Sequence, residues 1–216
     1  MSLELRDVWH RFPGSSRDVL RRIDLLGPAG TTVAVTAPSG AGKTTLLAIA
    51  GLLLRPSRGQ VLHDGREGSG PVSTAAWVLQ TVNLVTNHTA AHNVALPLLA
   101  RGMRNEYAER QAVTMLETLD LGHLGSRVAA TLSGGEAQRV GVARAMVTGP
   151  SLILADEPTA NLDPETAFQV AEALLRGAGG AAVLVATHDP RVASMADRQA
   201  LLLDGQLIEG NRVASV

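Results

Sequence analysis

The chain of 216 residues has no cysteine, a single lysine and only five aromatic side chains. The absence of cysteine excludes disulfides, iron–sulfur clusters and thiolate zinc sites. Five aromatics are too few for the stacking platform with which proteins bind single-stranded nucleic acid. A net charge of −1 also provides no basic surface field that would attract nucleic acid. We therefore expect no nucleic acid among the partners of this protein.

Long hydrophobic runs are also missing. The longest apolar stretch, LLAIAGLLL at 46–54, is nine residues long, whereas a helix that spans a bilayer needs roughly twenty. The N-terminus lacks a basic segment followed by an apolar run, which a secretory signal would require. With 45% hydrophobic and 18% charged residues, the composition is that of a globular domain. We expect one soluble domain that reaches a membrane only through a partner.

Apolar strands alternate with helical patterns along the chain. Buried strands are predicted at 31–37, 151–158 and 181–189, where β-branched or aliphatic runs end in turn residues. Helices are predicted at 43–54, 133–149 and 163–177, a mostly helical region at 87–122, weaker strands at 60–65 and 75–80, a loop at 66–74 and a terminal hairpin at 198–210. Such alternation is typical of a largely parallel sheet covered by helices on both faces.

The stretch VTAPSGAGKTTLL (35–47) joins the first of these strands to a helix, which is the context of a phosphate-binding loop. The loop residues whose backbone would surround phosphate oxygens are Pro38, Ser39, Gly40, Ala41 and Gly42. Lys43, the only lysine, would reach the β- and γ-phosphates, Thr44 would bind Mg²⁺, and Thr45 would contact the α-phosphate. The motif normally begins with glycine, and Ala37 is tolerated there if its φ stays negative.

Two acids end the apolar run LILADEP (152–158). In parallel α/β sheets, ligands bind at the carboxyl ends of the strands, so these acids should lie beside the phosphate loop. Asp156 would hold Mg²⁺ through water, and Glu157 would polarise an attacking water. An ordinary pair of strand-end acids is the alternative for this segment alone, and the neighbouring loop makes it the weaker interpretation.

The stretch LSGGEAQRV (132–140) predicts a second anion site. Ser133 and Glu136 have the spacing of a helix capping box, with Gly134 and Gly135 between them. Glycines in a first turn expose backbone N–H groups and the positive end of the helix dipole. A purely structural cap does not need two glycines, each of which costs about 0.5–1 kcal/mol relative to alanine in a helix. We therefore predict that this turn binds an anion.

Five segments together resemble the ATPase subunits of ABC transporters, in order and approximate spacing over essentially the whole chain. They are APSGAGKTT, VLQ, LSGGEAQRV, LILADEPTANLD and VATHD. The resemblance implies an α/β fold of the P-loop NTPase class, with a RecA-like mostly parallel sheet, a small antiparallel β subdomain and a helical subdomain that carries the LSGG motif. It implies a single domain over 1–216, in which 1–82 and 151–216 form the core with the β subdomain and about 83–150 form the helical subdomain.

The resemblance also assigns roles to individual residues. Gln80 would be the sensor glutamine that links the metal and the attacking water to a transmembrane partner. Asp163 would lie in the loop that communicates across a dimer, and His188 would be the γ-phosphate switch histidine. Phe12 would stack on adenine. The LSGG motif of one subunit, with Ser133, Gly134, Gly135 and Glu136, would bind the γ-phosphate held by the other subunit.

The function that the resemblance implies is hydrolysis of ATP, with Mg²⁺, to power transport by membrane-spanning permease subunits on the cytoplasmic face of the cell membrane. Its partners would be those permeases and a second copy or a homologous ATPase subunit. The segment TNHTAAHNVALPLL (86–99) resembles the lipoprotein-release, macrolide-efflux and cell-division type, and 82–98 is the expected docking surface. An ABC-type ATPase that regulates a membrane or cell-envelope enzyme without moving a solute is the alternative. A binding module without turnover is disfavoured because Lys43, Asp156, Glu157 and His188 are all present.

His88 and His92 have the i, i+4 spacing of some zinc ligands. No acid or third ligand accompanies them in the sequence, so we expect surface histidines. The outer β subdomain is expected to be shortened at 66–74, because only 36 residues separate Lys43 from Gln80.

Overall fold

The computed structural model describes residues 1–68 and 70–209, and these form two compact units. The first unit contains 1–75, 151–157 and the chain from 180 onward, and the second contains 76–150 and 158–179. Ser69, within the predicted loop at 66–74, and Gly210, at the end of the predicted terminal hairpin, lie outside the described residues. The division into subdomains at 82 and 150 stays a prediction.

Strands dominate the first unit and helices the second. The strands are β1 (Leu3–His10), β2 (Leu20–Gly27), β3 (Thr32–Thr36), β4 (Arg58–His63), β5 (Arg66–Glu67), β6 (Ala75–Val78), β7 (Leu152–Asp156), β8 (Ala182–Thr187), β9 (Arg198–Leu203) and β10 (Gln206–Glu209). The helices are α1 (Lys43–Ala50), α2 (Ala90–Ala100), α3 (Asn105–Thr118), α4 (Gly134–Met146), α5 (Pro164–Gly177) and α6 (Pro190–Ser194). Within the described residues, none of these helices has both the length and the apolar character that a membrane crossing demands.

Five strands of the first unit lie in the order β10-β9-β3-β8-β7. β3 pairs in parallel with both β8 and β9, and β7 pairs in parallel with β8. All six residues of β8 are buried, as expected for a strand covered on both faces. Because parallel strands end at the same edge of a sheet, the loops that follow Thr36, Asp156 and Thr187 leave from one edge. This edge carries the candidate site.

The antiparallel sheet of the first unit has the order β2-β1-β4-β5. The sequence predicts no strand before residue 31, although β1 and β2 are present. The register of β1 slips around Asp7, which has a φ of 46°. This bulge breaks the two-residue alternation by which a half-buried strand is recognised in a sequence. The predicted loop at 66–74 also begins with the short strand β5, which the Asp64-Gly65 turn joins to β4.

Helix α1 is shorter than predicted: it ends at Ala50 and not at residue 54. Leu52 adopts a φ of 56°, and the amides of Leu53 and Leu54 both donate to the carbonyl oxygen of Ala48, at 2.9 and 3.1 Å. These bonds satisfy a helix-terminal carbonyl group in the manner of a C-terminal cap. The apolar pattern of the sequence continues through Leu54, so the early stop was not visible in it.

The other predicted elements agree with the structure to within a few residues. Asp163 is the N-cap of α5, with Pro164 at the first helical position, as predicted. The terminal hairpin turns at Asp204 and Gly205, whose φ values are 48° and 77°. Positive φ at both positions is the requirement of the tight hairpin turn that Asp-Gly favours.

Two glycines of the β4 region provide a test of the β1 bulge. Gly59 and Gly65 both have positive φ, of 84° and 72°. A Cβ on Gly59 would overlap the carbonyl oxygen of Asp7, whereas a Cβ on Gly65 would have no heavy atom within 4 Å. We expect Gly65→Ala to lower the free energy of unfolding by about 1–2 kcal/mol, the cost of the left-handed backbone. Gly59→Ala should lower it by about 3 kcal/mol or more, because the bulge must also move. Denaturant unfolding of both variants measures the difference, and equal losses would contradict the close approach.

Candidate functional site

The turn after β3 has the backbone geometry of a phosphate cradle. Gly40 and Gly42 have φ values of 78° and 103°, whereas Ala37 keeps a negative φ and is buried, as its predicted tolerance requires. A Cβ on Gly42 would lie 2.9 Å from Val19 Cγ1, so only glycine fits there without a shift. A Cβ on Gly40 would have no heavy atom within 4 Å, so the space beside the loop is open. Gly42 is also the N-cap residue of α1, and no side chain accepts a hydrogen bond from the first turn there. The N–H groups of this turn are therefore available to an anion.

A cavity of about 790 Å³ lies in front of this loop. Its lining residues from the loop are Pro38, Ser39, Gly40 and Ala41, and the other walls are formed by 16–19, Arg21 and 203–205. Phe12 lines a separate pocket, with Trp9 and Arg58 among its other walls. Its side chain is 42% exposed, and its ring packs edge-to-face with the buried His10 ring, with centroids 4.7 Å apart at 85°. A partly exposed aromatic ring of this kind can stack on a base.

Lys43 is held inside its own loop. Its side chain is 9% exposed, and Nζ donates to the carbonyl oxygens of Ala37 at 2.8 Å and Pro38 at 3.3 Å. Glu157 Oε1 lies 3.1 Å from the same nitrogen. The ammonium is therefore both hydrogen-bonded and paired with a carboxylate, as a buried charge requires.

Thr44 and Asp156 meet at the start of α1 and the end of β7. Thr44 Oγ1 donates to Asp156 Oδ2 at 2.6 Å. A hydroxyl and a carboxylate are oxygen ligands of the kind that Mg²⁺ prefers. The two residues predicted from separate motifs therefore form one candidate metal site, next to the cradle.

Glu157 follows β7 in a strained backbone conformation, with a φ of 48°. Its amide donates to the carbonyl oxygen of Ala186 at 2.8 Å, which fixes the turn against β8. Its carboxylate accepts a hydrogen bond from the His188 backbone N–H at 3.2 Å, and His188 Nδ1 lies 2.7 Å from the same oxygen. Lys43, Glu157 and His188, which come from three distant parts of the sequence, therefore form one chain of contacts.

The loop that carries His188 is fixed by residues that the sequence did not single out. The amide of Asp189 donates to Thr187 Oγ1 at 3.0 Å, and its carboxylate caps α6. Hydrogen bonds from the Arg191 guanidinium lower the pKa of Asp189 below the ordinary value for aspartate. Asp189-Pro190 carries the same N-cap signal as Asp163-Pro164. The signal was missed because the helix that Asp189 caps has only five residues, too few for an apolar repeat.

In the second unit, the predicted capping box of α4 is present. The backbone N–H of Ser133 donates to Glu136 Oε2 at 2.7 Å, and the backbone N–H of Glu136 donates to Ser133 Oγ at 3.3 Å. The Ser133 N–H bond is the main cause that lowers the pKa of Glu136, and Arg127, 2.9 Å away, adds to it. Ser133 and Gly134 are exposed at this helix start.

The sequence argument that packing and capping do not explain the two glycines of this turn is wrong for Gly135. Gly135 is buried, and a Cβ there would overlap Thr166 Cγ2 of α5. The glycine is needed for the close approach of α4 and α5. A Cβ on Gly134 would have no heavy atom within 4 Å, so the argument for an anion site applies to Gly134 alone.

The remaining predicted residues also belong to the second unit. Gln80 is exposed just beyond β6. Asp163 is exposed, and its carboxylate accepts hydrogen bonds from the amides of Glu165 at 3.2 Å and Thr166 at 3.1 Å. Hydrogen bonds from Thr166 lower the pKa of Asp163. The five residues that meet around the cradle in the first unit are Lys43, Thr44, Asp156, Glu157 and His188.

The His88 and His92 rings stack, with centroids 4.4 Å apart and an interplanar angle of 13°. Glu109 of α3 lies 3.3 Å from His92 Nδ1, an acid that the sequence separation had concealed. Within residues 1–68 and 70–209, no group of three or more histidine, aspartate or glutamate side chains is arranged to hold a metal ion.

A phosphate cradle, a buried lysine and strand-end acids on a parallel sheet together define a P-loop nucleotide hydrolase. The family model described as ABC transporter matches residues 20–160, and the chain belongs to this family. It is thus an ATP-binding and ATP-hydrolysing subunit of ABC type, and the predicted α/β fold with its antiparallel sheet is confirmed.

Two relatives share most of the chain. The lipoprotein-releasing system ATP-binding protein LolD of Granulibacter bethesdensis is 40% identical, with 96% of each chain covered. LolD 2 of Caulobacter vibrioides is 42% identical, with 88% of each chain covered. Among solved structures, the dimeric ATP-binding cassette MJ0796 bound to ADP and Pi has a TM-score of 0.82 and 30% identity, with 99% of this chain and 100% of that chain covered.

The capping box gives a pH prediction. The folded-state pKa of Glu136 is lowered, so its contribution to stability is present above the ordinary pKa of glutamate and is lost as the pH falls through the lowered value. We expect Glu136→Gln to reduce the loss in unfolding free energy between neutral and acidic pH, measured by urea unfolding. Glu117→Gln, which removes an exposed carboxylate from α3, is the matched control. If both variants keep the wild-type pH dependence, the capping box does not contribute it.

Proposed function

We propose that this protein is the ATPase subunit of a lipoprotein-releasing transporter, bound to membrane-spanning permease subunits on the cytoplasmic face of the cell membrane. The support is the identity of 40% to a LolD protein over 96% of both chains. The earlier resemblance of 86–99 to the lipoprotein-release type points the same way. Segment 82–98 is the proposed docking surface for the permease.

Nucleotide binding is assigned to the first unit. The open side of Gly40 and the uncapped start of α1 fit the triphosphate, and the exposed face of Phe12 fits the adenine. Mg²⁺, when bound, would neutralise part of the phosphate charge and would be held by Thr44 and, through water, by Asp156. The resemblance to ABC ATPases gives Gln80 the role of sensing this metal. Lys43 already points into the loop, so its ammonium can exchange the carboxylate of Glu157 for phosphate oxygens.

The proposed role of Glu157 is to activate the attacking water. Its carboxylate orients the water and accepts its proton while the water oxygen bonds to the γ-phosphorus and the bond to the β-phosphate oxygen breaks, which leaves ADP and phosphate. His188, in contact with Glu157 at 2.7 Å, would place the carboxylate and meet the γ-phosphate. Glu157 must leave Lys43 before it can do this, because in the present state it neutralises that ammonium.

The second anion site is assigned to a partner's nucleotide. Ser133 Oγ accepts the capping bond from Glu136, so its hydroxyl hydrogen remains available for a phosphate oxygen. Gly134 is open, and the backbone N–H groups of Gly134 and Gly135 lie at the positive end of α4. Two copies would thus enclose two ATP molecules, with Asp163 communicating between the sites. The cassette MJ0796 is described as a dimer, which agrees with this proposal.

Glu157→Gln tests the proposed catalytic step. We expect turnover of ATP to fall by about 10²–10⁴-fold, since a general base is lost, while ATP binding persists. The variant should then accumulate as an ATP-dependent dimer, measured by light scattering. Normal hydrolysis by this variant would show that Glu157 does not handle the water.

A double variant, Ser133→Arg with Glu157→Gln, tests whether the LSGG turn of one copy completes the nucleotide site of the other. We expect the double variant to stay monomeric with ATP and yet bind nucleotide with unchanged affinity, because the LSGG turn serves the other copy. Loss of nucleotide binding by the monomer would mean that the turn serves the ATP of its own chain.

The cellular role is tested by depletion of the protein in its host. We expect mature lipoproteins to accumulate in the inner membrane, and we expect the wild-type protein, but not the Glu157→Gln variant, to restore their release. Cell fractionation with detection of a marker lipoprotein measures the outcome. Normal lipoprotein delivery during depletion would favour the regulatory alternative.

A further inference from the structure

The segment 79–83, which carries Gln80, lies directly against one face of α4 in the second unit. Helix α4 contacts it at Gln138, Gly141 and Arg144. These positions are three residues apart, so they share one face of the helix. Ser133, at the start of the same helix, belongs to the proposed anion site.

The first contact is a buried hydrogen bond. Gln138 is 5% exposed, and its Nε2 donates to the carbonyl oxygen of Leu79 at 3.0 Å. This carbonyl belongs to the peptide bond that joins Leu79 to Gln80. Gln138 therefore fixes the backbone immediately before the sensor glutamine, and its loss would remove the partner of that carbonyl.

The second contact is a close approach. A Cβ on Gly141 would lie 2.7 Å from Val82 Cγ2 and 3.1 Å from Val82 Cγ1. The helix backbone and the segment can approach this closely only because position 141 has no side chain. Gly141 thus sets how near the segment lies to the helix.

The third contact is charge-assisted. Arg144 donates from one terminal nitrogen of its guanidinium to the carbonyl oxygen of Asn83 at 2.8 Å. The Arg144 side chain is half-buried, and this burial lowers its pKa. Gln138 and Arg144 therefore bind the two ends of the segment.

We propose that Gln138, Gly141 and Arg144 are positioning residues that hold the segment 79–83, and with it Gln80, in place against α4. This inference rests on the proposed role of Gln80.

A double-mutant cycle between Gln138 and Gln80 tests the proposal. Gln138→Leu keeps the side-chain size and removes the donor, and we expect about a tenfold fall in kcat with little change in nucleotide affinity. Because Gln138 acts through Gln80, Gln138→Leu should cause no further fall in a Gln80→Ala background. Gln111→Leu, the same change at an exposed position of α3, is the control and should keep wild-type kcat.

The outcomes separate this inference from the proposed function. If the falls in kcat caused by Gln138→Leu and Gln80→Ala multiply in the double variant, Gln138 acts independently of Gln80. The inference is then overturned, while the role of Gln80 stands. If Gln80→Ala alone keeps wild-type kcat, the role of Gln80 is wrong and the inference falls with it. Thermal unfolding of each variant separates loss of fold from loss of positioning.

A rescue experiment tests the close approach at Gly141. Gly141→Ala should push Val82 away and lower kcat, because the added methyl meets both Val82 methyl groups. Val82→Ala removes those methyl groups and leaves Cβ 3.5 Å from the new one, an ordinary contact. We expect the Val82→Ala, Gly141→Ala double variant to regain most of the lost kcat. If it does not, Gly141 is not required for the position of the segment.

Discussion

The candidate site depends on the buried ammonium of Lys43. A cation with so little access to water needs hydrogen bonds and an opposite charge, and the loop carbonyls and Glu157 supply both. This requirement ties the end of β3 to the end of β7, and His188 extends the chain of contacts to the end of β8. The phosphates of a nucleotide would give Lys43 a second anionic partner. Phosphate would then replace Glu157 as the partner of Lys43, and the freed carboxylate could bind the attacking water.

Close backbone approaches organise the second unit. Gly135 allows α4 to lie against Thr166 of α5, and Gly141 allows it to lie against Val82. Both glycines lower the intrinsic stability of the helix, but both allow packing contacts that a side chain would prevent. Helix α4 is therefore a shared support for the LSGG turn at its first residue and for the Gln80 segment along its side.

The sequence predicted the parts of this protein that local pattern determines. Strand–loop–helix order, the cap at Asp163 and the positions of Lys43, Asp156 and Glu157 all follow from short motifs. The bulge at Asp7 concealed β1 because it breaks the alternation on which strand prediction relies. Contacts between residues far apart in the chain, such as Gln138 with Leu79, leave no local signal at all. The same holds for the packing reason at Gly135, which depends on a helix that follows about thirty residues later.

The single lysine has a chemical consequence. The chain carries eighteen arginines, so its one side-chain amine lies at the centre of the phosphate loop. Reagents that acylate primary amines would find only this nitrogen and the α-amino group. Acylation of the side-chain amine would remove its charge and, with it, the ion pair to Glu157. Because this amine is buried and paired with Glu157, acylation of the loop would report when Lys43 leaves that ion pair.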